Sequence, residues 1–367
     1  ALPLLEAAND PPALARLLTS LGRLHRIHGD AERALPYYQH TIALAAADQD
    51  AIRQAEDALS IALNALGRDG EALVHAERAL AIAGQIRPAL VPSQRLRVAE
   101  AALRNGEIDR ALALFQPEQV SERAQARRLM GRATAFRMQG DLEAAGVEAN
   151  RALELIAATP ALDWSMKAMA LYERSSVHEA AGRLADATAD AVQAVAIISA
   201  VRGSLVISDD FRAAFSDGYR AFFDRAVDLL SRAQRHDEAF QIAESGRARA
   251  LRELRAARAI DTAEAPAPAR SPSVAIITPV DSPVLAYWVT SSASYAWVLD
   301  RNRIARSVRL PIGRRDLAAL VARAQSAPGA GTPTVTRGQA AAVFDHDPRP
   351  ALRELHARVF APVVETV

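Results

Sequence analysis

Hydrophobic and polar positions alternate with helical periodicity over roughly the first 250 of the 367 residues, and a longer period is superimposed on them. A glycine is followed five residues later by an alanine, and then by mostly small residues four and seven positions further on. The spacings between successive copies of this motif are 38, 39, 34 and 42 residues, so each copy predicts one helix–turn–helix unit. Its five glycines are Gly29, Gly67, Gly106, Gly140 and Gly182.

Glycine suits a tight turn between two helices, and the small residues after it allow the second helix to approach its neighbour closely. A single pair of this kind leaves its apolar face uncovered, so successive pairs must stack. We therefore predict a mainly α-helical chain with a superhelical solenoid of about five repeats over residues 1–203. An irregular helical bundle with an alanine-rich core is the alternative.

The first repeat carries a set of residues at a familiar spacing: Leu21, Gly22, Gly29, Ala34, Tyr38 and Thr41. On these residues, the stretch from about 12 to 200 resembles the tetratricopeptide repeat family. The resemblance implies that the first helices of successive repeats line a concave groove for a protein or peptide partner. The later repeats replace the glycine at the Gly22 position by Ser60, Ala99, Ala133 and Ser175.

A second helical block, residues 204–258, is predicted to be a connector that packs on the end of the solenoid. It concentrates aromatic side chains at helical spacing, which usually indicates core packing. A proline-rich linker is predicted over residues 259–283, and a domain boundary falls there. The aromatic residues of this block are Phe211, Phe215, Tyr219, Phe222 and Phe223.

Three short alternating segments follow the linker, and they predict an antiparallel β-meander. They run from Val284 to Thr290, from Ser294 to Leu299 and from Ile304 to Leu310. The sequences "GRRDLAALVARAQSA" and "RPALRELHARVFAPVVETV" then predict two helices before the last residue. Three strands and two helices are too little for a self-sufficient α/β domain.

The order of these elements, with "AFQIAESGRARAL" and "LAYWVTSSASYAWVL" as the most specific phrases, resembles a CHAT domain, the caspase-like module found attached to tetratricopeptide repeats. The resemblance spans about 205–367 and implies that 284–367 is the incomplete N-terminal part of such a domain. It also implies a parent cysteine peptidase whose Cys and His lie in the second half of the domain. This chain has no cysteine, so no catalytic residue is assigned in it.

Composition excludes several functions. The formal net charge is +1, which gives no specific indication of nucleic-acid binding. The absence of cysteine removes disulfides and thiolate metal sites, and no phosphate-binding loop, zinc-protease or serine-hydrolase motif is present. We therefore expect no metal and no cofactor. No membrane span is predicted, and a bacterial protein in the cytoplasm is the expected setting.

Five arginines occupy first-helix positions that would face the groove of a repeat solenoid: Arg16, Arg23 and Arg26 in the first repeat, with Arg127 and Arg137 in the fourth. Together they favour an acidic peptide as the partner. The alternative is that they are plain solubilising arginines, because nearly every positive charge in this chain is an arginine.

These observations predict a protein–protein interaction scaffold that serves as the regulatory and recruiting arm of a cysteine peptidase of the tetratricopeptide-repeat and CHAT type, and that is not catalytic as this chain stands. The alternative is a stand-alone repeat adaptor or sensor with a degenerate CHAT-like domain and no peptidase activity.

Overall fold

The computed structural model describes residues 10–27, 30–45, 48–116, 120–204, 209–246, 284–300, 303–325 and 349–364. The chain forms two compact units, Ala1–Phe222 and Phe223–Val367, and the division falls inside a helix. The sequence-based boundaries at 203 and 258 stay predictions. The predicted proline-rich linker, 259–283, lies outside the described residues.

In the described part of the first unit, consecutive helices pair into five hairpins. They are α1 (Pro11–Ile27) with α2 (Ala31–Leu44), α3 (Gln49–Ala65) with α4 (Asp69–Ile86), α5 (Val91–Arg104) with α6 (Ile108–Leu114), α7 (Glu122–Gln139) with α8 (Leu142–Ala158), and α9 (Trp164–Ala180) with α10 (Leu184–Ser204). A 3-10 turn, Pro88–Leu90, leads into α5. The longer helix α11 (Asp209–Arg232) follows.

Each hairpin stacks on the next one along the chain. The first helices of successive hairpins, α1, α3, α5, α7 and α9, contact one another more extensively than the second helices do. The first helices therefore share one side of the stack, which is the arrangement that curves a repeat array around them. This confirms the predicted helical repeat.

The hairpin turns have one repeated backbone geometry. Gly67, Gly106, Gly140 and Gly182 adopt φ values between 71° and 87°, which only glycine adopts without strain. At the fourth turn, the Gly140 N–H donates to the Arg137 carbonyl (3.1 Å) and the next N–H donates to the Phe136 carbonyl (3.0 Å). These two bonds satisfy carbonyls at the helix end, as in a Schellman motif. Gly29 lies outside the described residues.

The alanine five residues after each turn glycine is fully buried in all five hairpins. Four residues further on, three hairpins carry a buried alanine, while the first and third carry Tyr38 and Phe115. A Cβ atom on Gly22 would lie 2.6 Å from the Tyr38 ring, and one on Gly131 would lie 2.4 Å from the Phe115 ring. Each large ring is therefore accommodated by a glycine on the facing helix.

A further turn of the same geometry joins α11 to helix α12, which the structure describes over 236–246. Gln234 takes the place of the glycine with φ +60°, and Ala239, five residues later, is fully buried. The Gln234 N–H donates to the Ser231 carbonyl (3.1 Å), and the Arg235 N–H donates to the Leu230 carbonyl (2.9 Å). The glycine-based motif could not find this turn because its glycine is absent.

Replacing Gln234 by glycine should raise the free energy of unfolding by about 0.5–1 kcal/mol, because glycine adopts this φ without steric cost. The Gln234 side chain is exposed and bonds only to His236 (3.1 Å) among the described residues. The reverse change, Gly140→Ala at φ +87°, should destabilise the chain, since no atom lies within 4 Å of the new Cβ and backbone strain alone acts there. Urea unfolding of both variants is the measurement. A loss of stability in Gln234→Gly would contradict the assignment of Gln234 to the glycine position of the turn.

One described helix is long and apolar enough to cross a membrane by length and composition, the window Leu184–Val201 in α10. Its buried positions include Ala187, Ala191, Ala194 and Ile198, which recur every three or four residues. This spacing is typical of the core-facing side of a repeat helix.

The second unit continues from the last part of α11 and α12 into a three-stranded sheet and further helices. These are β1 (Val284–Val289), β2 (Ser294–Asp300), β3 (Arg303–Leu310), α13 (Arg314–Gln325), α14 (Arg349–Leu355), a π-helical segment (His356–Phe360) and α15 (Ala361–Val364). The strand order is β1-β2-β3 and both pairs are antiparallel. The predicted meander is confirmed, with strand ends within one residue of the prediction.

The sheet is covered on both faces. On one face, Trp297 of β2 meets Phe240 of α12 edge-on, with ring centroids 5.6 Å apart. On the other face, Ala296 and Leu310 pack with Leu320 of α13. Helix α11 contributes two carboxylates that bond to side chains of the sheet and of α13. Asp224 accepts from the Trp288 indole (2.9 Å) and from Arg314 (2.7 Å). Asp228 accepts from the Tyr295 hydroxyl. Burial, reinforced by Asp228, raises the pKa of Tyr295.

Candidate partner-binding groove

A groove of about 590 Å³ lies between α1 and α3, the first helices of the first two hairpins. Arg16, Arg23 and Arg26 line it, together with Thr19 and Ser20 of the same helix. Their spacings of seven and three residues place the arginines on one side of α1. Arg16 and Arg23 are exposed and Arg26 is half-buried. The structure thus brings the three first-repeat arginines of the sequence analysis into one site.

The opposite wall of the groove is acidic and comes from α3. Asp48 caps this helix by accepting from the N–H groups of Asp50 (3.1 Å) and Ala51 (3.0 Å). Asp50 accepts from Arg53 Nε at 2.9 Å. Burial raises the pKa of Asp50, but Arg53, with Gln54 and Arg87, lowers it by more, so the pKa lies below its ordinary value. This carboxylate therefore stays ionised and engaged.

The third aspartate of this wall, Asp57, begins a series of ion pairs across the first helices. Asp57 lies 3.6 Å from Arg97 Nε of α5, and Arg97 lies 4.0 Å from Glu100 on the same helix. Glu100 in turn pairs with Arg127 of α7. Arg127 therefore has a carboxylate partner within the repeat stack and does not line the groove. Arg137 is half-buried and is also outside the groove.

The three arginines of α1 have no such carboxylate partners within the described part of the chain. Tyr38 of α2, which also lines the groove, is completely buried. Burial raises the pKa of its hydroxyl, while Arg26 and Arg23 oppose that rise from close by. The α1 wall therefore carries a positive charge that the described side chains leave uncompensated.

Sequence reasoning missed the acidic wall. The segment "ADQDAIRQAED" contains it, because Asp50 and Asp57 are seven residues apart and so share a helix face. Whether this face of α3 lines the groove depends on the packing of α3 against α1. Among the described residues, no group of three His, Asp or Glu side chains is placed to hold a metal ion.

No protein-family model matches the sequence, and no curated protein matches it. Several solved structures are similar. A putative kinesin light chain of Podosopora anserina with TPR-like repeats has 19% identity and a TM-score of 0.40, over 52% of this chain and 98% of the other. BtubC of P. vanneervenii has 19% identity and a TM-score of 0.40, over 70% and 99%. The apo quorum sensor NprR of B. thuringiensis has 14% identity and a TM-score of 0.41, over 67% and 79%.

With TM-scores this low, the class of the first unit rests on its own geometry. Glycine-ended first helices, buried alanines five residues after the turns, and stacked hairpins make it a tetratricopeptide-like helical repeat.

Proposed function

We propose that this chain is a protein-interaction scaffold whose first two hairpins bind a carboxylate-bearing peptide in the groove between α1 and α3. One observation carries the proposal. Arg16, Arg23 and Arg26 line the groove without a described carboxylate partner, while the aspartates of the facing wall are engaged by α3 itself or by other arginines.

An incoming carboxylate would supply the missing partner. Arginine presents a planar fork of donors that matches a carboxylate in two parallel hydrogen bonds, so three arginines on one helix face suit a short acidic segment. The aspartate wall opposite repels a segment with acidic residues on both sides. The groove therefore favours an extended peptide that turns its carboxylates towards α1 and neutral or basic groups towards α3.

Replacing Arg23 and Arg26 together by alanine should weaken the binding of an acidic peptide by ~10-fold or more, since each charge-assisted contact contributes ~1–3 kcal/mol. Raised salt should weaken wild-type binding as well. The measurement is fluorescence anisotropy with a labelled peptide in which glutamate alternates with serine, at low and raised salt, because alternate side chains of an extended peptide point to opposite sides. Stability should change little, because truncating arginines of this kind usually costs under ~0.5 kcal/mol.

The matched control removes two exposed arginines outside the groove, Arg33 and Arg104, and so changes net charge equally. Equal weakening in both double variants would show that only net charge matters. Unchanged affinity in Arg23→Ala/Arg26→Ala would remove the groove as the binding site.

We further propose that the scaffold is the recruiting arm of a CHAT-type cysteine peptidase, with the second unit as the entry part of that domain. The order of a helix pair, an antiparallel meander and two further helices supports this. A reading frame that continues with a strand ending near His-Gly, and then a strand followed by Cys, distinguishes this proposal from the stand-alone adaptor with a degenerate domain, whose frame lacks both.

A further inference from the structure

A second recess lies in the fourth hairpin, between α7 and α8, and is independent of the groove. It is an open cleft of about 370 Å³. Arg132 and Phe136 of α7 and Glu143, Val147 and Glu148 of α8 line it. Asp141, which caps α8, adds a third carboxylate, so the cleft holds three carboxylates and a single arginine.

Glu148 is the unusual member of this set. It is 6% exposed, and its Oε1 faces Arg132 Nε at 3.2 Å and Arg151 Nη1 at 3.6 Å. Its Oε2 is buried and has no hydrogen-bond partner among the described residues. Buried carboxylate oxygens are normally hydrogen-bonded, so an unpartnered one in the wall of a cleft indicates a missing donor.

The fifth hairpin has an arginine–carboxylate pair at the same positions as Arg132 and Glu148, and there the pair has a further partner. Arg174 and Asp190 lie eight residues before and after Gly182, the same offsets that Arg132 and Glu148 have from Gly140. There, Arg174 donates twice to Asp190 at 2.8 Å. It also donates to Asn150 of the preceding second helix, α8, at 3.1 Å.

The fourth hairpin lacks that covering residue. Asn150 lies ten residues after its turn glycine, Gly140, and the residue ten after Gly106 is Gln116. Because α6 ends at Leu114, Gln116 lies beyond the helix. The short second helix of the third hairpin therefore leaves the Arg132–Glu148 pair beside an open cleft.

We propose that this cleft binds an arginine side chain of a partner protein. When the side chain of Glu148 turns its Oε2 into the cleft, the guanidinium donates to that oxygen, and the surplus of carboxylates in the cleft compensates its charge. Phe136 offers an aromatic surface that already holds Arg132, with the guanidinium carbon 5.2 Å from the ring centroid. Val147, which is 45% exposed, covers the aliphatic stem of the incoming side chain.

The test uses the full chain and a minimal probe, acetyl-Gly-Arg-Gly-amide, and follows the NMR shift of the Ala144 methyl group, which lines the cleft and is present in every variant. The matched probe replaces arginine by citrulline, which has nearly the same shape and no charge. We expect saturable shifts with the arginine peptide and at least ~10-fold weaker binding of the citrulline peptide, because a charge-assisted hydrogen bond is lost.

Two variants locate the site. Glu148→Gln should weaken binding of the arginine peptide by ~10-fold, because it removes the charge that the guanidinium meets. Val147→Lys places a cation at the exposed rim and should abolish binding of the arginine peptide. If Glu148→Gln fails to fold, Val147→Lys alone tests whether the cleft is the binding site. The Arg33→Ala/Arg104→Ala variant, whose changes lie outside the cleft, should bind the arginine peptide normally. Equal affinity for both peptides, or unchanged binding in Val147→Lys, would overturn the proposal.

Discussion

Replacing Arg174 by alanine should lower the free energy of unfolding by about 3 kcal/mol, because removing one partner of a buried ion pair leaves an uncompensated charge. Both guanidinium contacts with Asp190 measure 2.8 Å, and Asp190 is 5% exposed. The paired Asp190 holds the pKa of Arg174 above its ordinary value, although burial opposes this. Urea unfolding at neutral pH is the measurement.

The control for Arg174 is an ion pair with the same geometry at the surface. Arg68 donates to both oxygens of Glu71 at 2.7 and 2.8 Å, but both side chains are well exposed. Arg68→Ala should therefore cost less than ~1 kcal/mol. If Arg174→Ala and Arg68→Ala lose the same stability, burial does not set the strength of the Arg174–Asp190 pair.

The loss caused by Arg174→Ala should also depend on pH through His178, whose Nε2 lies 3.6 Å from Asp190. Burial lowers the pKa of His178; Asp190 and Asp186 raise it, and Arg183 and Arg174 lower it. Without Arg174, this pKa rises relative to wild type, so a protonated His178 can partner Asp190. A raised native-state pKa contributes stability at low pH that is lost as pH rises. The variant should therefore lose less stability at about pH 5 than at about pH 8.

Replacing Gly131 by alanine should lower the free energy of unfolding by about 2 kcal/mol through overpacking. The new Cβ would lie 2.4 and 2.7 Å from two ring atoms of Phe115, and that ring is 1% exposed and cannot swing into solvent. This cost exceeds the gain of up to ~1 kcal/mol that alanine brings over glycine inside a helix. Chemical denaturation of the variant measures the balance.

Gly146 provides the matched control, since it also lies inside a helix but a Cβ added to it would have no atom within 4 Å. Gly146→Ala should therefore leave stability unchanged or raise it. In a Phe115→Leu background, Gly131→Ala should cost much less, because leucine lacks the ring atoms that clash. If the stability losses of Gly131→Ala and Phe115→Leu are additive in the double variant, the clash with the Phe115 ring is not the cause of the destabilisation.

The sequence by itself determined the features that depend on neighbouring residues. The glycines at the described turns of the motif were predictable, because a turn with positive φ requires glycine locally. The structure shows this φ at Gly67, Gly106, Gly140 and Gly182. The buried alanines followed from the same motif, because helix packing distance limits their size. The meander was readable from period-two alternation and its turn residues.

Features that depend on which elements meet were decided only by the tertiary structure. The spacing of Arg16, Arg23 and Arg26 along α1 was visible in sequence, but packing of α3 opposite α1 created the groove, and Glu100 took Arg127 into an ion pair. The open cleft at Glu148 arose from the early end of α6 in another hairpin. Each of these results from contacts between residues far apart in sequence, and local propensity carries no information about such contacts.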